Sequence, residues 1–262
     1  MRLSPATRLR AATRALGALG VLAGFALFVS CGARDARLTQ ITIAPPNASI
    51  AKGAKLQLTA TGFFDNGAKA ALDAVVWQTS PPDVATVSSQ GEVNGLGEGV
   101  AKVSAVYHGV TGNTSITVGP PALVSIAVTP SPSSLPVGES EQLTATGTYT
   151  DGSTQDLTQT ATWSSSASTA GVSPAGATVA KGVGTATISA TSGTVTGTAS
   201  LTVTPAVVIG LNIVPATLSL PLGSGSQLQA IAILSDGTQQ SVSSSVTWQT
   251  SQSAVALSLI HI

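Results

Sequence analysis

A period of 85 residues runs through this chain and limits its fold more than any other feature. Ile41, Ile126 and Leu211 stand one step apart, as do Pro45, Pro130 and Pro215. The same step relates Gly53, Gly138 and Gly223, then Leu58, Leu143 and Leu228, then Gly67, Gly152 and Gly237. The tryptophans Trp77, Trp163 and Trp248 step by 86 and then 85, which places one extra loop residue in the second copy. The copies occupy residues 38–119, 122–204 and 207–256.

Each copy is written in the period of β-structure. Leu58, Ala60, Gly62 and Phe64 alternate with Gln57, Thr59 and Thr61, which gives one apolar and one wet face. Leu143, Ala145, Gly147 and Tyr149 repeat the pattern, as do Leu228, Ala230, Ala232 and Leu234. The opening runs LTQITIAP, LVSIAVTP and VIGLNIVP end at proline, which cannot continue a central ladder. The pairs Asn66-Gly67, Asp151-Gly152 and Asp236-Gly237 follow the alternating run and predict a tight type I′ hairpin, with positive φ at both positions. Only 8% of residues are charged, far fewer than the wet face of a long helical domain would carry. Short strands at regular spacing with turn signals between them predict an all-β sandwich.

The blocks "VGESEQLTATGTYTDGS", "TWSSS", "VATVSSQGEVNGLGEGVAKVSA" and "SLTV", with the opening I-x-V-x-P, resemble the bacterial Ig-like domain, group 2. The resemblance spans residues 38–256 and implies tandem seven-stranded immunoglobulin-like sandwiches, as found in intimin- and invasin-like surface adhesins. No copy carries a cysteine pair to clamp its sheets, so the indoles of Trp77, Trp163 and Trp248 are expected at the centre of each core. An aromatic side chain buries ~150–250 Å². At ~25 cal/mol per Å² that is several kcal/mol, and loss of Trp163 is expected to unfold the second copy.

Residues 1–30 read as an export leader. Arg2, Arg8, Arg10 and Arg14 come first, and an apolar run from Ala15 to Val29 follows, too short to span a bilayer. Phe28-Val29-Ser30-Cys31 resembles the lipobox of bacterial lipoproteins, which implies a lipid on Cys31, an anchor in the membrane and a linker over residues 31–37. Cys31 is the sole cysteine, and a free thiol at that place would be a reactive liability without acylation. An ordinary cleaved signal is the alternative. Gly32 follows the cysteine in place of an acidic retention residue, which points to the outer membrane or cell surface. Without the leader, seven basic residues stand against eleven acidic ones, and no basic patch is left for nucleic acid.

The third copy is short. Forty-one residues separate Trp77 from Val118 and forty separate Trp163 from Val203, but fourteen follow Trp248. Its first sheet is therefore expected to lack a partner and to be unstable or molten. Leu257–Ile262 fits no position of the repeat and resembles a translated sequencing adaptor, so residues 257–262 are set apart.

Candidate chemistry is sparse. Asp65 and Asp73, and Asp151 and Asp156, lie near hairpin turns where calcium is the alternative to plain turn chemistry, although too few oxygens cluster there for 6–8 ligands. The run Gly95-Leu96-Gly97-Glu98-Gly99 lacks the lysine and helix of a phosphate loop and reads as a turn. His108 stands alone beside Tyr107, without partners for a metal site or a triad. No catalytic residue, metal site or cofactor is expected. The links Gly119-Pro120-Pro121-Ala122 and Thr204-Pro205-Ala206 are short and semi-rigid, which favours a rod. The functional expectation is a non-catalytic surface protein whose repeats form a stalk and serve adhesion to a protein or carbohydrate ligand. The alternative is a spacer for a surface enzyme or carbohydrate-binding protein.

Overall fold

A computed structural model describes residues 36–253, 255 and 256. The export leader, the lipidation site at Cys31 and the peptide 257–262 lie outside the described residues.

The first repeat contains β1 (Leu38–Ala44), β2 (Ala48–Ala51), β3 (Lys55–Gln57), β4 (Thr59–Phe64), β5 (Lys69–Ala71), β6 (Val76–Ser80), β7 (Ala85–Val87), β8 (Glu92–Gly95), β9 (Gly99–Tyr107) and β10 (Val110–Gly119). One sheet has the order β1-β4-β5 and the other β2-β10-β9-β6, with a small sheet β3-β8-β7 beside them. Ile41 and Ile43 of β1 and Ala60 of β4 face Ala101, Val103 and Ala105 of β9 and Ile116 and Val118 of β10, and all are buried. The sandwich follows from the alternation, because every second residue is apolar and the two apolar faces have only each other to cover them.

The second repeat is built alike from β11 (Leu123–Thr129), β12 (Ser133–Pro136), β13 (Ser140–Gln142), β14 (Thr144–Tyr149), β15 (Thr154–Asp156), β16 (Thr162–Ser165), β17 (Ala170–Val172), β18 (Ala177–Ala180), β19 (Gly184–Ser192) and β20 (Val195–Thr204). Its sheets are β11-β14-β15, β12-β20-β19-β16 and β13-β18-β17. The third repeat contributes β21 (Val208–Val214), β22 (Gln229–Leu234) and β23 (Gln239–Ser241), paired in that order.

Two details of the strands and turns differ from the sequence reading. The run around Leu58 is not one strand: β3 pairs with β8, and β4 pairs with β1 and β5. The break falls at Leu58, whose N–H donates to Gly91 O (2.9 Å) while its side chain drops fully into the core. Leu143 does the same with Gly176 O (3.0 Å). Such breaks, with another at Pro45 and Pro46 between β1 and β2, divide the seven expected strands into ten shorter ones.

The hairpins are also not type I′. Only Gly67, Gly152 and Gly237 take positive φ, at +83°, +79° and +80°, while Asn66, Asp151 and Asp236 do not. Gly67 N–H donates to Phe64 O (3.0 Å), and Phe64 N–H donates to Ala68 O (3.0 Å). This is a three-residue loop in which a turn is followed by a left-handed glycine. The cause is the Asx side chain: Asn66, Asp151 and Asp236 each accept, through Oδ1, the N–H two residues on, at 2.9, 3.0 and 2.9 Å.

Candidate functional site

The indoles of Trp77 and Trp163 line the side of their cores instead of the centre. Both are half-buried and pack against cores whose fully enclosed side chains include Leu58, Val103 and Ile116 in the first repeat and Ile188, Val203 and Thr178 in the second. Each lies on a glycine turn. A Cβ on Gly91 would stand 2.9 Å from Trp77 Cζ2, and one on Gly176 would stand 3.0 Å from Trp163 Cζ2. In the second and third repeats the polar edge accounts for the sideways position, since an indole N–H needs an acceptor. Trp163 Nε1 donates to Thr158 O (2.9 Å), and Trp248 Nε1 donates to Ser243 O (3.1 Å).

The hairpin tips carry more than turn chemistry. Asp151 Oδ1 accepts from the backbone N–H of Ser153 (3.0 Å) and from its hydroxyl (2.5 Å), and Asp151 Oδ2 lies 3.3 Å from Lys52 Nζ of the preceding repeat. The Ser153 bonds lower the Asp151 pKa most, and Lys52 lowers it further. Asp236 is lowered by the hydroxyl and N–H of Thr238, and Asp156 by those of Thr158. These carboxylates are therefore engaged by local donors. Among the described residues, no group of three or more His, Cys, Asp or Glu is placed to hold a metal ion.

The residue just before each Asx reaches further. Thr150 Oγ1 donates to Lys52 O (2.5 Å) and accepts from Ala122 N–H (3.0 Å). Ser235 Oγ donates to Val137 O (2.6 Å) and accepts from Val207 N–H (3.1 Å). Sequence reasoning singled out Asp151-Gly152 and Asp236-Gly237 but missed these hydroxyls and the turns that receive them. The signal was available, because the 85-residue step places a Thr or Ser before Asp-Gly in the two later copies and Asp65 in the first.

The outer face of the second repeat is a ladder of hydroxyls. Thr185 pairs with Thr202, Thr187 with Ser200, Ser189 with Thr198 and Thr191 with Thr196 across β19 and β20. Ser164 and Thr162 of β16 extend two of these rungs. The matching face of the first repeat is mixed and includes Val100, Lys102, Asn113 and Gln78. His108 lies in the tight turn between β9 and β10 at φ +48°, with its ring edge-on to Tyr107 at 4.3 Å. Gly95 through Gly99 forms the link from β8 to β9. Among the described residues, no helix is long and apolar enough to cross a membrane.

Comparison with known proteins adds three findings. The sequence profile of the bacterial Ig-like domain (group 2) family matches residues 37–118 and 122–203. Ice-binding protein 1 of Shewanella frigidimarina is 39% identical over 224 residues, which is 85% of this chain and 25% of that protein. The chain thus spans a quarter of the length of that relative. Among solved structures, domains 4 and 5 of the S-layer protein SbsC align at a TM-score of 0.32 and 20% identity, over 64% of this chain and 99% of theirs. Domains 5–6 of the same protein align at a TM-score of 0.29 and 25% identity, over 65% of this chain and 99% of theirs.

Proposed function

Because the chain belongs to the bacterial Ig-like domain (group 2) family, we propose that its repeats are the non-catalytic stalk of an exported surface protein, held to the membrane by lipid on Cys31. The observation that carries this reading is the way consecutive repeats join. The first sandwich ends at Gly119 and the next begins at Leu123, so three residues link them, two of them proline. Proline-bearing links of that length hold neighbours at short range and transmit orientation, which suits a spacer more than a flexible tether. A stalk needs a working region elsewhere in the protein. The relative named for ice binding extends well beyond the matched segment, and an ice- or carbohydrate-engaging region in such an extension fits the reading.

A swap experiment tests this. Replacing residues 122–204 with an unrelated immunoglobulin-like repeat of equal length should leave the binding activity of intact cells unchanged. Cys31→Ala should abolish labelling by radioactive palmitate and release the protein from the membrane fraction. Loss of binding on the swap, or unaltered membrane retention of Cys31→Ala, would sink the stalk or the anchor respectively.

The hydroxyl ladder favours a second reading, in which the second repeat binds an uncharged, hydroxyl-rich ligand directly. Its face of Thr and Ser offers donors and acceptors at every rung and no charge. In this reading the swap abolishes binding, and so does Thr187→Lys on the intact chain.

A further inference from the structure

The two joints between repeats share one set of atoms. On the leading repeat, the turn after β2 presents Lys52 O and Gly53, and the turn after β12 presents Val137 O and Gly138. On the following repeat, the hairpin tip presents Thr150 or Ser235. The ion pair of Lys52 with Asp151 is not the shared element, because Val137 takes the place of Lys52 in the second joint. What recurs is the hydroxyl.

We propose, building on the stalk reading, that these turns are seats selective for a hydroxyl-bearing hairpin tip, and that Thr150 and Ser235 set the angle of each repeat on the one before it. The partner such a seat fits is the Ser/Thr-Asp-Gly tip of a following Ig-like repeat.

The chemistry is restrictive. The tip atom meets a donor on one side, the N–H of its own linker at Ala122 or Val207, and an acceptor on the other, the carbonyl of the preceding repeat. One hydroxyl satisfies both, since it accepts and donates through a single oxygen. A carboxylate only accepts, and it would set a negative oxygen against the seat carbonyl. The first repeat shows that alternative. Asp65 holds the same position and accepts from Arg37 N–H (3.0 Å). The linker half of the clamp is kept there, and the donor half is absent. The tip of the first repeat is thereby unsuited to the seat of another copy, which disfavours head-to-tail association of identical chains.

The seat itself leaves no space for a side chain. A Cβ on Gly53 would collide with Thr150 O and lie 2.5 Å from Asp151 Cα, and one on Gly138 would collide with Ser235 O and lie 2.6 Å from Asp236 Cα. Both glycines also take positive φ, +81° and +93°. Gly223 is the third copy of this position. It has φ +84° and, among the described residues, nothing within 4 Å of its would-be Cβ. Gly223→Ala therefore carries the backbone strain without the collision, and it serves as the internal control.

The test measures the first joint in the full mature chain. Cys31→Ser removes the native thiol, and spin labels at Ser89→Cys and Thr187→Cys report the distance between the first and second repeats by pulsed electron paramagnetic resonance. The parent should give one narrow distribution. Thr150→Val should broaden it about twofold, as expected for neighbours freed of their interface. Thr150→Asp should broaden it equally, and Thr150→Ser should keep it narrow. Gly53→Ala should broaden it, whereas Gly223→Ala should not. Amide exchange in β19 and β20 confirms that the second sandwich stays folded in each variant. An unchanged width in Thr150→Val and Gly53→Ala, or a narrow distribution in Thr150→Asp, would overturn the proposal. A broad parent distribution would overturn it too, and with it the orientation-holding link, while leaving anchorage through Cys31 standing. A narrow joint in a protein absent from the cell surface would sink the stalk and leave the joint.

Discussion

Ile126 and Leu211 hold the same position in successive repeats, yet the first is 8% exposed and the second 52%. Val128 and Ile213 repeat the contrast, at 4% and 46%. The local pairing is nevertheless the same. Ile126 faces Gly147 across β11 and β14, Leu211 faces Ala232 across β21 and β22, and both first strands carry an irregularity two residues after their start. The hairpin and the indole contact are kept as well, since Trp248 finds Ser243 O as Trp163 finds Thr158 O. What differs is the opposite layer. In the second repeat β19 and β20 supply Ala186, Ile188, Ala190, Ala199 and Leu201 to cover the first sheet. Among the described residues, no second sheet faces β21. Strand pairing, bulge and turn, and the burial of Ala230 and Ala232 on β22, are thus written in the first half of a repeat, and the cover of its first strand is written in the second half.

The largest consequence is in local stability. Amides of β14 should open only with the whole sandwich, at ~5–15 kcal/mol, while those of β22 open with little cost, so their exchange rates should differ by roughly a thousandfold or more. Hydrogen exchange read by mass spectrometry on the full chain checks this. Equal protection of the two strands would mean that three strands suffice and the comparison fails. A matched pair of substitutions sharpens it. Ile126→Ala should cost the second repeat about 2–5 kcal/mol, because it empties space between two sheets. Leu211→Ala, at an exposed site, should stay within about 0.5 kcal/mol. Urea unfolding of each variant gives both numbers, and a large cost at Leu211 would show cover that the comparison denies.

The contrast also marks what the sequence made legible. Alternation around Leu58 and Leu143, the Asx-Gly tips and the 85-residue step were enough to name a tandem sandwich, because they are local or periodic signals. The break of that alternating run between two sheets was not legible. It depends on Gly91 O and Gly176 O, more than thirty residues away, capturing the N–H of each leucine. Turn type was misjudged because glycine was read as part of a pair, whereas the Asx side chain holds its own backbone and leaves positive φ to glycine alone. The sideways indoles of Trp163 and Trp248 are not legible from bulk alone, because each N–H is held by a backbone carbonyl, Thr158 O and Ser243 O. The joints were missed because each contact, such as Thr150 with Lys52, links residues 98 apart in different repeats, where no single-repeat pattern points.

A smaller effect separates the indole's bulk from its polar edge. Trp163→Phe keeps a ring against Gly176 and loses the bond to Thr158 O, so the second repeat should lose about 1 kcal/mol. The same change at Trp248 removes an equivalent bond where, among the described residues, no second sheet closes over it. It should leave every cooperative transition of the chain unmoved, as thermal melts of the two variants would show.

The smallest effect distinguishes the two joints by pH. Asp151 and Asp236 both have lowered pKa values, chiefly through the hydroxyl and N–H two residues on, at Ser153 and Thr238. A carboxyl lowered in the folded state favours folding above its unfolded value, near 4, and that contribution fades as pH falls through the lowered value. Both tips should therefore hold at neutral pH and loosen in acid. Lys52 adds a further lowering at Asp151, and Val137 offers none to Asp236. In a titration followed by carboxyl carbon chemical shifts, Ser153→Ala should raise the Asp151 midpoint more than Lys52→Ala does, and Lys52→Ala should leave Asp236 unmoved. Should Lys52→Ala prove the larger of the two, the ion pair would outweigh the tip's own hydrogen bonds, and the first joint would be electrostatic where the second is not.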